Sequence, residues 1–366
     1  MVCRIERNSI PGFIHDHPIS LLRGAILKGA SAGQPGKVVL VDYPEPEAGE
    51  QDVILSSSVC GVCATDIKMV QKGAKDTRFA LGHELVGRVI KAPSSQAWKI
   101  GQRVAVVPYL PCDQCYYCKH GQPALCTDLY AITINPGGLA ERVHVPSELA
   151  RRGMFSIPDG ISDDLAALSE PLGCVIKGLE DAHLQPGDTL IVIGDGPMGQ
   201  LAAATGKALG CSLVIMTGIT EHRLMAAQGL FADHTINVSV ENPQEKVAAW
   251  TDKRGADVVL VTVSSGETLA DGIGLVRPGG WVNAFAGVPD GTHIELDVRK
   301  LHYKQFNLTG SSGLAPIHMK KALELMQSNA VDFSKVITAR FPFPQVGEAV
   351  AYMEKQIGLK ALVTFS

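Results

Sequence analysis

The stretch TLIVIGDGPMGQLAAATGKALG, residues 189–210, decides the fold. It begins with an apolar run typical of a buried β-strand and ends in a helix-like segment, with the pattern G-x-G-x-x-G between them. In such a turn Gly194 permits a sharp bend, Gly196 lets the backbone approach a pyrophosphate, and Gly199 lets helix and strand pack closely. This order of elements predicts a dinucleotide-binding unit rather than a glycine-rich turn without a ligand.

The first turn of the predicted helix is expected to hold the phosphates. It begins at Pro197 and Met198. The N–H groups of a first helical turn have no partner within the helix, and the helix dipole favours an anion there. Both residues are therefore candidate cofactor-binding residues.

The end of the next predicted strand, in LVIMTGITEHR, bears on which dinucleotide is bound. Units that bind NAD carry an acid at this place, which holds the ribose hydroxyls. Gly218 occupies the position, so the sequence predicts a strand tip without a carboxylate. Arg223 is placed either to pair with a 2′-phosphate or to lie against the adenine. The pattern favours NADP(H) slightly over NAD(H), with Gly218 and Arg223 as further cofactor-binding residues.

Outward from this unit, strand-like and helix-like segments alternate from residue 188 to residue 312. Strands that are apolar throughout, joined by helices, are typical of a doubly wound parallel sheet covered on both faces. Residues 23–110 instead hold short β-like runs between turn formers, as in a mostly β domain, and one helix and two strands follow residue 312. The fold class is therefore α/β, with two domains.

Four cysteines lie close together in PCDQCYYCKHGQPALC, with the spacing C-x2-C-x2-C-x7-C. Four thiolates at such spacing fit one tetrahedral zinc ion that is closed to substrate. A pair of disulfides is the alternative, but the N-terminus lacks an apolar signal sequence, and a reducing compartment favours metal ligation. The predicted structural zinc ligands are Cys112, Cys115, Cys118 and Cys126.

A second metal site is predicted from residues spread along the chain. Cys63 lies in CGVCATD, and His83 and Glu84 lie in GHE. One thiolate, one imidazole and one carboxylate suit a zinc ion with an open coordination position. Glu170 in SEPLG is the best candidate for a further ligand.

These motifs, in this order, resemble the zinc-dependent medium-chain dehydrogenase/reductase superfamily, closest to its sorbitol (polyol)/threonine dehydrogenase branch. The resemblance covers residues 23–366. It implies a GroES-like catalytic domain at 23–173 plus 313–366 around a Rossmann dinucleotide-binding domain at 174–312. Residues 1–22 are expected to be an N-terminal extension.

The resemblance also implies a role for each residue of the second metal site. Cys63 and His83 match zinc ligands, Glu84 matches a carboxylate on or just behind the metal, and Glu170 matches a ligand that binds directly or through water. Asp66 matches the acid that orients the ligand histidine, and Thr65 matches the hydroxyl that takes the substrate proton. Lys68 stands where the family often has a histidine that ends the proton relay.

The activity implied is reversible oxidation of a secondary alcohol (a polyol, sugar, cyclitol or amino alcohol) to a ketone, with one catalytic and one structural zinc and NADP or NAD as cofactor. A zinc-dependent NADPH reductase of an aldehyde or an activated double bond is the alternative among enzymes. A nucleotide sensor without catalytic activity would also keep the fold. The presence of Cys63, Thr65, His83 and Glu170 argues against the sensor.

The composition excludes other classes of protein. Apolar residues make up 46% of the 366 residues and charged residues 19%, and the formal net charge is −4. This acidic balance disfavours nucleic acid as a partner, because nucleic-acid binding calls for a basic face. No apolar run is long enough for a transmembrane helix, so we expect no membrane contact. We expect a cytoplasmic homodimer or homotetramer acting on a small molecule.

Overall fold

The computed structural model describes residues 26–73, 79–94 and 97–366, and the predicted N-terminal extension 1–22 lies outside these residues. In chain order the strands are β1 (Ile26–Ala32), β2 (Val38–Pro44), β3 (Val53–Gly61), β4 (Glu84–Lys91), β5 (Arg103–Val106), β6 (Arg142–Val145), β7 (Met154–Ser156), β8 (Thr189–Ile193), β9 (Leu213–Gly218), β10 (His234–Asn237), β11 (Ala256–Val261), β12 (Val276–Ala284), β13 (Asn307–Gly310), β14 (Ile337–Pro342) and β15 (Lys360–Thr364).

The α-helices between them are α1 (Ala64–Lys72), α2 (Tyr116–Lys119), α3 (Ser147–Arg152), α4 (Asp163–Ala166), α5 (Ser169–Asp181), α6 (Pro197–Ala208), α7 (Glu221–Ala227), α8 (Pro243–Trp250), α9 (Gly266–Leu275), α10 (Val298–Lys304), α11 (Pro316–Gln327) and α12 (Val346–Glu354). Short 3-10 helices lie at Pro123–Leu125, Phe333–Val336 and Phe343–Gln345.

A six-stranded sheet has the order β10-β9-β8-β11-β12-β13, and all its strand pairs are parallel. Alternate residues of β8 enter two different cores: Leu190 and Val192 pack in one, and Ile191 and Ile193 in the other. Both faces of the sheet are therefore buried, which explains why its strands are apolar throughout. The predicted doubly wound parallel sheet is confirmed.

The order of this sheet also marks where a ligand would lie. The chain runs outward from β8 to β9 on one side and continues with β11 on the other side. Ligands of open α/β sheets bind at such a switch point, beyond the carboxyl ends of the strands. The glycine-rich turn follows β8 at this place.

A second sheet of seven strands joins distant parts of the chain. Its order is β14-β15-β3-β4-β5-β7, with β6 paired to β3, and β1 and β2 form a separate antiparallel pair. The last strand, β15, pairs antiparallel with β3, where Leu362 lies opposite Gly61. The predicted mostly β part is confirmed, and the chain returns to it after the parallel sheet.

Three strand ends of the second sheet meet at one edge. The register places Gly61, the last residue of β3, opposite Glu84, the first residue of β4. Lys360, the first residue of β15, lies two residues before Leu362, which is opposite the same Gly61. Side chains from sequence positions near 60, 84 and 360 are thereby brought to one place.

Within the described ranges, the structure has no helix that is both long and apolar enough to cross a membrane.

Candidate active site

Asp66 joins the two chain segments that carry the predicted zinc ligands. It is the third residue of α1, and its Oδ2 accepts a hydrogen bond of 2.9 Å from the backbone N–H of Cys63, the N-cap residue. Its Oδ1 accepts one of 2.9 Å from the N–H of Gly82. Because Asp66 is 1% exposed, water does not compete for these bonds. One carboxylate therefore fixes the backbone next to both Cys63 and His83.

The structure brings Cys63, His83 and Glu84 together. One ligand atom from each lies within 4.8 Å of the others. Ligand atoms on one tetrahedral zinc are about 3.3 to 3.8 Å apart, given bonds of about 2.0 to 2.3 Å. A sulfur, a nitrogen and an oxygen donor at this separation fit zinc. Asp66 Oδ1 is 3.8 Å from His83 Nδ1, which is a charged contact rather than a hydrogen bond.

Glu84 is held by a lysine that the sequence analysis did not single out. Lys360 Nζ donates hydrogen bonds of 2.7 Å to Glu84 Oε1, 2.9 Å to Oε2 and 3.2 Å to the carbonyl oxygen of Val62. Burial lowers the pKa of Lys360, but Glu84, Cys63 and Glu170 together raise it more, so the pKa lies above its ordinary value and the lysine stays charged. Glu84 is therefore tied to Lys360 on one side of the metal group.

Glu170 is near this group but does not join it. Its ligand atoms are outside the set in which Cys63, His83 and Glu84 lie within 4.8 Å of one another. Burial raises the pKa of Glu170 to about 7, against the lowering effect of His83. The thiol of Cys174, one helical turn further along α5, lies 3.6 Å from Glu170 Oε1. The carboxyl group thus faces the site from α5.

Thr65 lies between the predicted metal ligand and solvent. Its Oγ1 is 3.8 Å from Cys63 Sγ, and the residue is exposed. Lys68, one turn further along α1, is also exposed. A hydroxyl in this position is able to pass a proton outward to water.

The four-cysteine lobe forms a second metal group, in which the sulfurs of Cys112, Cys115, Cys118 and Cys126 all lie within 4.8 Å of one another. Backbone N–H groups point at the sulfurs: the N–H of Cys112 lies 3.2 Å from Cys126 Sγ, and that of Cys115 lies 3.3 Å from Cys112 Sγ. The N–H groups of Cys118 and Thr127 lower the pKa of Cys115 to about 6, so its thiolate is available at neutral pH. Four cysteine sulfurs at this separation fit zinc.

The lobe is tethered to the mostly β domain by Arg152 of α3. The guanidinium donates to the carbonyl oxygen of Pro111 at 2.9 Å and to the carboxylate of Asp113, both in the lobe. It also bonds Glu148 on its own helix. The arginine therefore orients the start of the lobe relative to α3.

The glycine-rich turn has the shape that a dinucleotide requires. Gly194 has φ +120°, which favours glycine, and a Cβ on Gly199 would lie 1.9 Å from the Gly194 carbonyl oxygen. A Cβ on Gly196 would meet nothing within 4 Å. Backbone conformation and close packing thus explain Gly194 and Gly199. Gly196 instead leaves open space beside the N-terminus of α6, where Pro197 and Met198 begin the helix. This open space fits the pyrophosphate of a dinucleotide.

The prediction of a strand tip without a carboxylate is wrong. Asp195, from the glycine-rich turn, places its Oδ2 there and accepts hydrogen bonds of 2.9 Å from the N–H of Ile219 and 2.7 Å from that of Thr220. Gly218 ends β9 as expected, but a Cβ there would lie 2.4 Å from Asp195 Oδ2. Asp195 was not predicted for this position, because the acid of such units is expected on β9 itself.

Arg223 is buried and bonded to backbone groups of the chain. It is 5% exposed, and its Nη2 donates hydrogen bonds of 2.6 Å to the carbonyl oxygens of both Gln356 and Gly358. The Nη2 group is therefore engaged with the segment before β15. The predicted contact of Arg223 with a 2′-phosphate or the adenine stays a prediction.

Comparison with known proteins agrees with this fold. Residues 49–159 match the family model described as alcohol dehydrogenase GroES-like domain, and residues 197–328 match that of zinc-binding dehydrogenase. The chain is 29% identical over 342 residues to sorbitol dehydrogenase of Bacillus subtilis (strain 168), covering 91% of this chain and 94% of that protein. It is 30% identical over 336 residues to D-arabitol-phosphate dehydrogenase of Enterococcus avium, covering 88% and 93%.

A solved structure of a similar protein has the same fold. A zinc-binding dehydrogenase from Sinorhizobium meliloti 1021, bound to NADP, superposes with a TM-score of 0.83 at 25% identity, covering 93% of this chain and 99% of that one. These matches define a zinc-type oxidoreductase that acts on alcohols. The chain belongs to the zinc-type medium-chain dehydrogenases, near the polyol and threonine dehydrogenase branch. The resemblance noted from the sequence, the GroES-like and Rossmann domains and the enzymatic class are confirmed.

Proposed function

We propose that this dehydrogenase interconverts a secondary alcohol and a ketone by hydride transfer with NAD(P), and that its substrate is a polyol, sugar, cyclitol or amino alcohol. The observation that carries the proposal is the approach of Cys63, His83 and Glu84 to one another beside the buried carboxyl group of Glu170. The two relatives named for sorbitol and D-arabitol phosphate support the substrate class.

The proposed enzyme holds two zinc ions per chain. Cys63 and His83 bind the catalytic ion, with Glu84 on or just behind it and Glu170 reaching it directly or through water. The structural ion lies among Cys112, Cys115, Cys118 and Cys126. The donor sets agree with the two kinds of zinc site, one with an open position and one closed.

The two sheets support the proposed division into domains. We assign 23–173 plus 313–366 to the catalytic domain and 174–312 to the dinucleotide-binding domain. All strands of the parallel sheet lie between residues 189 and 310, and those of the seven-stranded sheet lie before residue 157 or after residue 336. Oligomerisation as a dimer or tetramer and a cytoplasmic location are part of the same proposal.

In the proposed mechanism, Thr65 moves the proton of the substrate hydroxyl and Asp66 positions the segments that carry the metal ligands. When bound, zinc supplies a Lewis acid for the hydroxyl oxygen, and the nicotinamide supplies the hydride acceptor. Thr65 Oγ1 accepts the hydroxyl proton and passes one on to water, because this side chain lies beside Cys63 and is exposed. Asp66 keeps the backbone of Cys63 and Gly82 in register throughout. The reverse reaction uses the same groups in the opposite order.

A substrate panel tests the proposal. Polyols, sugars, cyclitols and amino alcohols are assayed with NAD⁺ and NADP⁺, and aldehydes and activated double bonds with the reduced dinucleotides. We expect turnover of at least one secondary alcohol, lost in Cys63→Ser and retained in Cys211→Ser, a matched change at a thiol outside both metal groups. Near-normal turnover in Cys63→Ser, or reduction of activated double bonds alone, would contradict the proposal.

A further inference from the structure

The place that normally holds an acid at the end of the second strand is filled from a different element. In dinucleotide-binding units, that acid contacts the ribose hydroxyls of NAD. Here the strand ends in Gly218, and a Cβ at this position would lie 2.4 Å from Asp195 Oδ2 and 2.6 Å from Asp195 Cβ. The position of the Asp195 carboxylate therefore requires glycine at 218, since any side chain there would displace the carboxylate.

The Asp195 carboxylate is held in one orientation. Its Oδ2 accepts hydrogen bonds from two successive backbone N–H groups, those of Ile219 and Thr220. Its Oδ1 lies 3.8 Å from Arg223 Nη1, beyond hydrogen-bond distance. A carboxylate has about four acceptor sites, so Oδ1 retains the capacity to accept from a hydroxyl. The side chain sits at the switch point beside the open space over Gly196.

Most of the groups that a 2′-phosphate would need are already engaged. The N–H groups of Ile219 and Thr220 are bonded to Asp195. Arg223 Nη2 is bonded to the carbonyl oxygens of Gln356 and Gly358, while its Nη1 lies 3.8 Å from Asp195 Oδ1 and its buried Nε has no hydrogen-bond partner. A phosphate at the strand tip would meet a carboxylate instead. Like charges at close range in a partly buried site repel strongly.

We propose that Asp195 is the residue that selects the dinucleotide: its carboxylate, supplied from the glycine-rich turn in place of an acid on β9, accepts the adenosine ribose hydroxyls of NAD(H) and excludes the 2′-phosphate of NADP(H). The inference rests on the nicotinamide-dependent activity proposed above. It replaces the preference for NADP(H) expected from the sequence. That expectation depended on the absence of a carboxylate at the end of β9, and the Asp195 carboxylate lies there.

Two small fragments of the dinucleotides measure the effect of the 2′-phosphate alone on binding. Adenosine 5′-monophosphate and adenosine 2′,5′-bisphosphate are titrated calorimetrically into the zinc-loaded full-length protein, followed by NADH and NADPH. We expect the parent to bind each ligand without the 2′-phosphate about tenfold or more tightly than its 2′-phosphorylated partner, because the 2′-phosphate meets the negative charge of Asp195. This readout does not depend on turnover or on the alcohol substrate.

Variants that remove the Asp195 carboxylate, or move it to position 218, test its role in selecting the dinucleotide. Asp195→Ala should reduce the discrimination to less than about threefold, because it frees the two N–H groups and removes the charge. The double change Asp195→Ala/Gly218→Asp returns an acid to the end of β9 and should restore the preference for NADH. Gly218→Asp alone places two carboxylates in one space and should weaken both dinucleotides. Asp195→Asn, which keeps the shape, should also reduce the discrimination.

The outcomes separate the two proposals. Equal or tighter binding of NADPH by the parent, or full discrimination retained in both Asp195→Ala and Asp195→Asn, would overturn the assignment of Asp195 and leave the dehydrogenase activity standing. Failure of the parent to bind either dinucleotide would overturn the proposed function and, with it, the role of Asp195.

Discussion

Lys360 Nζ lies 2.7 Å from Oε1 and 2.9 Å from Oε2 of Glu84, and the two side chains are 2% and 0% exposed. The residues are 276 positions apart in the chain. A buried carboxylate requires such a partner, because an isolated charge in a low-dielectric interior is costly. The pair therefore makes the C-terminal strand part of the candidate metal site.

Lys360→Met should destabilise the protein strongly. The change leaves the Glu84 carboxylate buried without its cation, and breaking a buried pair in this way costs about 3 to 5 kcal/mol. Urea unfolding of the zinc-loaded protein measures the loss. Lys355→Met serves as the control, because Lys355 is exposed in the same region and should change stability by less than about 0.5 kcal/mol. The double change Glu84→Gln/Lys360→Met should recover part of the loss, and equal stability of Lys360→Met and Lys355→Met would contradict the account.

Gly61→Ala should disturb the same pair from the opposite side. A Cβ at Gly61 would lie 1.9 Å from Glu84 Oε2, so the carboxylate must shift away from Lys360. We expect a loss of about 1 to 3 kcal/mol in unfolding free energy. Gly347→Ala is the matched control, since a Cβ there meets nothing within 4 Å in helix α12 and should stabilise by about 0.5 to 1 kcal/mol. If Gly61→Ala and Gly347→Ala changed the unfolding free energy by the same sign and amount, the predicted clash between a Cβ at Gly61 and Glu84 would be contradicted.

Asp66→Asn should weaken zinc binding at the catalytic site. The amide presents an NH₂ group to one of the two backbone N–H donors, at Cys63 or Gly82, and so loosens one of the ligand segments. Loss of such a supporting contact typically lowers metal affinity about 10- to 100-fold. Competition with a zinc chelator measures the affinity, and Lys68→Ala, on the exposed face of the same helix, should leave it unchanged. Unaltered zinc affinity in Asp66→Asn would remove Asp66 from this role.

Cys115→Ser should lower the stability of the protein rather than impair its cofactor site directly. Cys115 belongs to the closed four-sulfur group, where the free energy of metal binding contributes directly to folding. We expect the variant to lose one zinc per chain, to unfold at a lower temperature and to keep dinucleotide binding in its folded fraction. Metal analysis with thermal unfolding tests this against Cys211→Ser. A variant that retains two zinc ions and the parental melting temperature would argue against a structural zinc.

The features that were predictable from the sequence are those whose residues are close together in it. The turn at Gly194, Gly196 and Gly199 and the four-cysteine lobe each carry their whole pattern within a short stretch. Alternation of apolar strands with helices likewise predicted the parallel sheet, because each strand is buried on both faces.

The features that were not predictable depend on pairs of distant residues. Lys360 meets Glu84 only because β15 pairs with β3 at the edge where β4 begins. Asp195 reaches the end of β9 only because β8 and β9 are neighbours in the parallel sheet, and no local pattern states that pairing. The bonds of Arg223 to Gln356 and Gly358 were not predictable for the same reason, since both partners lie in the returning segment.

The central claim is that Cys63 and His83 bind one metal ion, and anomalous scattering at the zinc edge from crystals of the zinc-loaded protein tests it most directly. We predict two peaks per chain, one among the four lobe cysteines and one at about 2.0 to 2.3 Å from both Cys63 Sγ and a His83 ring nitrogen. The absence of any peak within bonding distance of both Cys63 and His83 would contradict the account.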